Sequence, residues 1–437
     1  MRRSAVRLLC ALSLAPLLPA CFLFGGDDDT TATTNATNAT NATNATLTDG
    51  QTTETGGGVS AEAVDILLVI DDTGSMAEAQ ARLNASLTEL LDPLVAAGVS
   101  YRIAITTTDN GNPRCPKADT TPPQGDLILS SCVGRLDDFI FNGTDPPTDG
   151  SYACLDFCAL PEVATVPTAT ALDPATKSRP WIEVDGDKTN LAGGVSPIDA
   201  LFCALPQGTA GCGFESPLES MARAITRFTT PGEAAYGFLR PDAHFVVVIV
   251  SDETDCSHTD ASKEIFIDNK VFWNSPDDPI PTSGVCWRAG VTCSGGGPTF
   301  SECHADNHST SGSGGASDGG AVLHPLSRYQ GIMDQIAADK AANGIAGNTA
   351  RLYLIDGVPE GYADGTALKY SESDPNFVED FGIDPGCKSA SITAVPPVRE
   401  RELAEALSPG QRPAYSICSA NYDAALGSIA QSILAAL

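Results

Sequence analysis

The sequence contains little positive charge. Its 437 residues include 25 Lys and Arg against 55 Asp and Glu, which gives a formal net charge of −30 at pH 7. A surface with this balance repels nucleic-acid phosphates and anionic lipid head groups. The sequence therefore argues against nucleic-acid binding, and any attachment to a membrane has to come from a lipid anchor rather than from basic residues.

Several signatures of enzymes are also lacking. No Gly-x-x-x-x-Gly-Lys phosphate loop occurs, and position 73 is threonine where phosphatase chemistry needs a second aspartate. Ser317 has the Gly-x-Ser-x-Gly spacing of a hydrolase nucleophile, but it lies in a Ser/Gly-rich run without a preceding strand. We therefore predict a protein that is not an enzyme, with a serine hydrolase as the alternative that this spacing leaves open.

The amino end carries a short apolar run. Arginines at positions 2, 3 and 7 precede the stretch from Leu8 to Leu18, which is too short to span a bilayer and ends at Leu18-Pro19-Ala20-Cys21. This order predicts an export signal over residues 1–20. The cysteine after the cleavage site resembles the lipobox of bacterial lipoproteins, which implies lipidation of Cys21. A secreted protein with an incidental Cys21 is the alternative.

Residues 21–60 lack the apolar side chains that a core requires. Three aspartates at positions 27–29 are followed by Asn-Ala-Thr repeats from Asn35 to Thr46 and by Thr and Gly up to Gly58. This composition predicts a disordered tether with a mean span of roughly 35 Å by the scaling of flexible linkers. The folded domain is therefore expected over residues 61–437.

Cysteine, by contrast, is plentiful. Of fourteen cysteines, Cys10 lies in the predicted signal and Cys21 is the proposed lipid site. The even number that remains in an exported chain predicts disulfides, and neighbours such as Cys203 and Cys212 are candidate partners, although the sequence does not determine the pairing. With His304 and His308 included, the spacings match no paired-cysteine zinc site. The twelve candidates are Cys115, Cys132, Cys154, Cys158, Cys203, Cys212, Cys256, Cys286, Cys293, Cys303, Cys387 and Cys418.

Strand and helix patterns alternate along the predicted domain. The strand patterns cover Val64–Ile70, Tyr101–Thr106, His244–Val250, Arg351–Ile355 and Tyr415–Ile417. The helix patterns cover Ala77–Ala97, Pro217–Phe228, Leu326–Ala342, Val398–Leu407 and Tyr422–Leu434. This alternation predicts an α/β fold with a doubly wound, mostly parallel sheet and helices on both faces. Two segments rich in Pro, Gly, Ser and Cys, at about 110–197 and 257–320, are expected to be disulfide-bearing insertions.

A candidate metal site follows the first predicted strand. Asp71, Thr73 and Ser75 stand two residues apart, so one carboxylate and two hydroxyls can supply three hard oxygen ligands to Mg²⁺ or Ca²⁺. In open α/β sheets, ligands bind beyond the carboxyl ends of the strands. The sequence therefore predicts a divalent-cation site, and the alternative is that Thr73 and Ser75 only cap the next helix.

The run from Asp71 to Met76 resembles the Asp-x-Ser-x-Ser element of the von Willebrand factor A (vWA) family, with threonine in place of the first serine. The resemblance implies a metal-ion-dependent adhesion site (MIDAS) on a Rossmann-like sheet. In that family the metal site is completed by an aspartate after a later strand, which Asp252 matches, and by a threonine from another loop. Glu215 stands at that threonine position, and Ser216 substitutes only if the register shifts by one. A further carboxylate is expected to tighten cation binding and to weaken attraction for an acidic ligand.

Three further stretches carry the resemblance. Phe238–Ala243, Ile249–Ser257 and Ile417–Tyr422 are similar to segments of vWA-containing bacterial lipoproteins of the myxobacterial type. The resemblance implies a module anchored by lipid in the bacterial envelope, at the outer membrane, that binds an extracellular protein or glycan through a cation. Mg²⁺ is the expected ion, with Ca²⁺ or Mn²⁺ as alternatives. A structural envelope lipoprotein whose ion only stabilises loops is the alternative function.

Overall fold

The computed structural model describes residues 63–115 and 120–437. The predicted signal peptide, Cys21 and the predicted tether lie outside the described residues. The strands are Ala63–Ile70 (β1), Ser100–Thr107 (β2), Ile140–Phe141 (β3), Thr148–Asp149 (β4), Ile182–Asp185 (β5), Lys188–Thr189 (β6), His244–Val250 (β7), Val291–Ser294 (β8), Thr299–Phe300 (β9), Glu302–Ala305 (β10), Ala350–Asp356 (β11), Tyr370–Ser371 (β12), Cys387–Lys388 (β13), Thr393–Ala394 (β14) and Ala414–Ser416 (β15).

The α-helices connect these strands. They are Ala77–Ala85 (α1), Leu87–Ala96 (α2), Tyr152–Leu155 (α3), Pro197–Ala204 (α4), Pro217–Thr229 (α5), Gly284–Gly290 (α6), Leu326–Ala342 (α7), Pro375–Phe381 (α8), Val398–Leu407 (α9) and Asp423–Leu434 (α10). Among the described helices, none combines the length and the apolar character needed to cross a bilayer.

The central sheet has the strand order β15-β11-β7-β1-β2-β5-β6. The strands from β15 to β2 are parallel, whereas β5 pairs antiparallel with β2 and β6 pairs antiparallel with β5. The predicted doubly wound, mostly parallel sheet is confirmed. The antiparallel edge made by β5 and β6 was not predicted, because it comes from the first insertion.

Both faces of the sheet are covered by helices. Alternate residues of the strands point to opposite faces, so Leu68 and Val248 pack with α1, α2, α4 and α10 on one face. Leu67 and Val247 pack with α5, α7 and α9 on the other. The near-continuous apolar sequence of β1 and β7 follows from this arrangement, since a strand that is buried on both faces has no solvent side.

The predicted helix Ala77–Ala97 is divided into α1 and α2 at Ser86. The Ser86 hydroxyl donates a hydrogen bond to Asp423 Oδ1 (2.6 Å) and accepts one from the Tyr422 backbone N–H (3.0 Å). A serine side chain that is bonded to another segment of the chain competes with regular helix geometry. The predicted end of the helix is confirmed, since Gly98 has a φ of 71° and α2 ends at Ala96.

All twelve predicted disulfide cysteines are paired. The bonds are Cys115–Cys212, Cys132–Cys154, Cys158–Cys203, Cys256–Cys286, Cys293–Cys303 and Cys387–Cys418. The candidate pairing of Cys203 with Cys212 is wrong. Cys203 lies on α4 and Cys212 in the loop after it, and each bonds to a different part of the first insertion, so closeness in sequence misleads here.

Candidate functional site

The candidate site lies where the winding of the sheet reverses. β1 has β2 on one side and β7 on the other, so the loops that follow β1 and β7 diverge and leave a crevice at the carboxyl ends of these strands. Asp71 follows β1 directly, and Asp252 follows β7 after Ser251. The Asp71 backbone N–H donates to the Val250 carbonyl oxygen (2.9 Å), which holds the two strand ends together.

Asp71 is fully buried and is bonded by neutral donors. Its Oδ1 accepts hydrogen bonds from the Thr73 backbone N–H (2.8 Å) and the Thr73 hydroxyl (2.7 Å). Its Oδ2 accepts one from the Ser251 hydroxyl (2.6 Å). The Asp71 carbonyl oxygen accepts from Gln80 Nε2 on α1 (2.9 Å). The aspartate is therefore fixed in orientation, but nothing in these contacts neutralises its charge.

The same network reaches the loop after β7. The hydroxyl oxygens of Thr73 and Ser75 are 3.3 Å apart, and the Ser75 hydroxyl donates to Asp252 Oδ1 (3.1 Å). Asp71 and Asp252 are 0% and 3% exposed, whereas Ser75 is exposed to solvent. Four of the five predicted metal ligands thus form one connected group of oxygen atoms, which solvent reaches from the side of Ser75. We call this group the Asp71–Asp252 network.

Glu215, the fifth predicted ligand, is close to this network but does not hydrogen-bond to it. Its side chain is 0% exposed, and neither carboxylate oxygen has a hydrogen-bond partner among the described residues. Burial, reinforced by the nearby charge of Asp71, raises the pKa of Glu215 well above its ordinary value. The backbone is fixed by a hydrogen bond from the Cys256 N–H to the Glu215 carbonyl oxygen (2.6 Å).

The network is electrostatically uncompensated. Burial raises the pKa of Asp252 to about 8, with the charge of Asp71 as a second cause, and burial likewise raises the pKa of Asp71. Within residues 63–115 and 120–437, none of the salt bridges involves Asp71, Glu215 or Asp252. Buried anions in such surroundings are stabilised either by protonation or by a bound cation.

The donor set fits a hard divalent cation. Hydroxyl and carboxylate oxygens are the ligands that Mg²⁺ and Ca²⁺ prefer. In the described part of the chain, three thiol, imidazole or carboxylate ligand atoms lie within 4.8 Å of one another only at Cys132, Cys154 and Cys158, which are disulfide-bonded. The carboxylates of Asp71, Glu215 and Asp252 therefore do not all lie within 4.8 Å of one another, so an ion at this point would depend on the hydroxyls of Thr73 and Ser75.

The first insertion covers part of the loop from Asp71 to Ser75, which the sequence did not indicate. A Cβ atom at Gly74 would lie 2.5 Å from Phe141 Cδ2, so only glycine fits beneath this ring. Phe141 ends β3 within the insertion. Sequence reasoning also missed Ser251, although its position between a buried strand and Asp252 is a signal that could have identified it.

Other residues that could carry chemistry have different surroundings from the Asp71–Asp252 network. Asp255, which follows Asp252 by three residues, is fully buried and forms a salt bridge with Arg399 (3.0 Å). Ser317 is exposed and precedes a short 3₁₀ helix, Asp318–Gly320, rather than ending a strand. His304 is exposed and lies 2.8 Å from a carboxylate oxygen of Glu302. Within the described residues, none of these three side chains hydrogen-bonds to the Asp71–Asp252 network.

No protein-family model matches the sequence, and no curated protein is significantly similar to it. Among solved structures, the chain is similar to the open conformation of the pilus adhesin SpaC from Lactobacillus rhamnosus GG, with 11% identity and a TM-score of 0.33. The aligned part covers 86% of this chain, and the chain spans only 30% of SpaC.

Two smaller neighbours align over almost their whole length. The vWF domain of the type V pili tip protein Mfa5 from Porphyromonas gingivalis has 12% identity and a TM-score of 0.31, with 87% of this chain and 98% of that domain covered. The adhesive tip pilin GBS104 from Group B Streptococcus agalactiae has 10% identity and a TM-score of 0.27, with 86% and 100% covered. Scores this low carry no argument about function, and the fold is established by the strand order of the chain itself.

Proposed function

We propose that this chain is a binding protein of the bacterial cell surface, whose vWA-like domain uses a divalent cation to hold a protein or glycan ligand. The observation that carries this proposal is the Asp71–Asp252 network, which joins the loops after β1 and β7. It lies at the switch point of the sheet, where ligands of open α/β folds bind.

The network has both a buried and an exposed part. Asp71 and Asp252 would contribute negative charge from beneath, and the hydroxyls of Thr73 and Ser75 would be direct ligands of the ion. Because Ser75 is exposed, a ligand oxygen arriving from solvent has access to this side of the network. The ion, which we propose to be Mg²⁺, would supply a positive point of attachment for that oxygen.

We propose binding rather than catalysis because, among the described residues, the hydroxyls of Thr73 and Ser75 are bonded to carboxylates and have no histidine partner. Asp71 is bonded by hydroxyl and amide groups, and none of the histidines in the described part of the chain hydrogen-bonds to Asp71 or Asp252. The alternative nucleophile, Ser317, is in an exposed loop before a short 3₁₀ helix and does not directly follow a strand.

The proposed location follows from the sequence and from the disulfides. Residues 1–20 are proposed to direct export, lipid on Cys21 to anchor the chain at the outer membrane, and residues 21–60 to tether the domain that begins near residue 61. The twelve cysteines of the described residues are all disulfide-bonded, which is typical of proteins in oxidising compartments.

The test combines cation binding with ligand capture. Purified protein is dialysed against Mg²⁺, Mn²⁺ or Ca²⁺, and its capture of glycans on an array and of purified surface proteins is measured with and without chelator. We expect cation binding and chelator-sensitive capture, both lost in Asp71→Ala and retained in the control Asp187→Ala, whose side chain is exposed on the β5–β6 turn.

Two results would contradict the proposal. If the wild-type protein binds none of the three ions, the site itself is refuted. If it binds an ion that raises the melting temperature while capture is unaffected by chelator, the ion has the structural role of the alternative function.

A further inference from the structure

A second group of oxygen atoms lies on the β2 side of the candidate site. The Thr108 N–H donates to the Ile70 carbonyl oxygen (3.2 Å), which places the end of β2 beside the end of β1. The Ser216 N–H donates to the Thr108 carbonyl oxygen (3.0 Å), which brings the Glu215 loop to the same place. We call Asp72, Thr108, Asp109 and Glu215 the β2-side group.

Most of this group is buried without hydrogen-bond partners. Among the described residues, Asp72 Oδ1, Thr108 Oγ1 and both carboxylate oxygens of Glu215 are buried and unpartnered. Thr108 and Glu215 are each 0% exposed, and the Thr108 hydroxyl faces the Glu215 carboxylate without forming a hydrogen bond of normal geometry. Leaving a buried polar atom unpartnered is unfavourable, so four such atoms on neighbouring loops call for a ligand.

The charges in the group repel one another. Asp109 accepts a hydrogen bond from the Gly111 N–H (2.7 Å) and is 2% exposed. Its negative charge and that of Asp72 both oppose ionisation of Glu215. Arg135 is the basic residue that interacts with Asp72 over a longer range, but its salt bridge is to Asp138 (3.6 Å). The group therefore carries an excess of negative charge.

The loops that carry the group are held in place. The Gly211 N–H donates to the Asp72 carbonyl oxygen (2.8 Å), and a Cβ atom at Gly211 would lie 2.5 Å from Asp72 Oδ1. The disulfide Cys115–Cys212, with a Cα–Cα distance of 5.6 Å, joins the segment after Asp109 to the segment before Glu215. The oxygen atoms are thus presented by a fixed framework rather than by free side chains on a surface.

We propose that the β2-side group binds a second cation of the Ca²⁺ class, distinct from the ion of the Asp71–Asp252 network. All the donors are oxygen atoms, which excludes ions that require sulfur or nitrogen. The carboxylate oxygens of Asp72, Asp109 and Glu215 do not all lie within 4.8 Å of one another. Ca²⁺ accepts more oxygen ligands, at longer bond lengths and in a more flexible geometry than Mg²⁺, so a spread set of donors that backbone carbonyls and water can complete favours Ca²⁺.

This inference deepens the proposed function, because Glu215 would then lie between two ions instead of serving one. A neutral residue at position 215 would leave the second ion with two carboxylates. The glutamate at the place where the vWA resemblance implies threonine therefore has a role of its own. It links the cation of the binding site to a neighbouring cation that stiffens the loops around it.

The test counts bound ions. Full-length oxidised protein is stripped with chelator and dialysed against Ca²⁺ alone and then against Ca²⁺ with Mg²⁺, and the bound metal per chain is measured by elemental analysis. We expect two ions per wild-type chain, one for Asp109→Asn and one for Asp71→Ala. The control Asp187→Asn retains two, since its side chain is exposed.

The outcomes separate the two proposals. A single wild-type ion that is lost in Asp71→Ala and kept in Asp109→Asn overturns the second site and leaves the proposed function intact, whereas no bound ion overturns both. If Asp109→Asn does not fold, Thr108→Val removes one ligand without changing side-chain shape. It is expected to weaken one of the two Ca²⁺ affinities at least tenfold, and unchanged affinities overturn the inference.

Discussion

The two ends of strand β1 each carry a buried aspartate, and the two aspartates differ in their hydrogen-bond partners. Asp65 is 0% exposed and is met by Arg240, whose Nε lies 2.7 Å from Asp65 Oδ1 and whose backbone N–H donates to Oδ2 (2.7 Å). Asp71 is equally buried but is bonded by hydroxyl and amide groups alone. The charge on Asp65 is neutralised within the fold, whereas the charge on Asp71 has no basic partner among the described residues.

The contrast extends across the sheet. Basic groups gather at the amino ends of the strands, where Arg102 pairs with Glu183 (3.0 Å) on β5 and the Lys340 ammonium donates to the Arg240 carbonyl oxygen (2.9 Å). The carboxyl ends of the strands carry acidic side chains instead, such as Asp252 after β7 and Asp356 at the end of β11. The two ends of the sheet therefore differ in charge compensation: acids at the amino ends are paired with basic groups, whereas Asp71 and Asp252 at the carboxyl ends are not.

The largest expected effect comes from exchanging these two aspartates for asparagine. In chelator, Asp65→Asn should lose up to about 3–5 kcal/mol of unfolding free energy, because it leaves Arg240, whose side chain is only 13% exposed, without its counter-charge. Asp71→Asn should be no less stable than the wild type, because it removes an uncompensated charge, keeps one oxygen acceptor for Thr73 and offers an amide donor to the Ser251 hydroxyl. Denaturant unfolding with intact disulfides measures both. Equal losses in the two variants would show that the ends of β1 are alike.

The second prediction adds the cation. At a Mg²⁺ concentration one hundred times its dissociation constant, the wild-type unfolding free energy should rise by about 2.7 kcal/mol, because the ion binds only the folded state. Asp71→Asn should show no rise, whereas Asp65→Asn should show the full rise from its lower starting point. A rise in Asp71→Asn equal to that of the wild type would place the ion elsewhere.

The sequence predicted the central sheet because its strands carry a local signal. The apolar run His244–Val250 forms β7 with the same bounds, and α7 and α9 also have their predicted bounds. β5 was missed because its formation depends on pairing with β2, more than seventy residues earlier in the chain, through contacts such as that between Arg102 and Glu183. Pairing of this kind leaves no pattern in a short window.

The candidate site was predictable to a similar degree. Asp71 directly follows buried strand β1, and Asp252 follows buried strand β7 after one intervening residue. The topology of a parallel sheet alone therefore brings the two aspartates together. The ring of Phe141 over Gly74 could not be inferred, because it depends on how an irregular insertion folds back across the loop. For the same reason, the position of Glu215 relative to Asp71 required the structure.

The third prediction concerns this cover. Phe141 is half-buried, so Phe141→Ala should cost less than the roughly 3–5 kcal/mol of a fully buried phenylalanine, about 1–2 kcal/mol. Because the ring lies over Gly74, its removal should also speed release of the ion to a chelator, as measured by stopped flow. The control is Leu155→Ala in the same insertion, whose side chain is 51% exposed. Identical release rates in both variants would mean that the insertion does not restrict access.

The smallest expected effect tests the basic end of the sheet through pH. Burial, together with the positive charges of Arg351 and Lys340, lowers the pKa of His244 to about 4 from its ordinary value of 6.5. Between these values the unfolded chain binds a proton that the folded chain does not, so the contribution of His244 to stability is full above pH 6.5 and falls as the pH drops toward 4. In chelator, the difference in unfolding free energy between the wild type and His244→Gln should therefore shrink from pH 7.5 to pH 5, since other titrating groups cancel in that difference. The exposed His304→Gln is the control, and a difference that stays constant with pH would show that His244 titrates as an ordinary histidine.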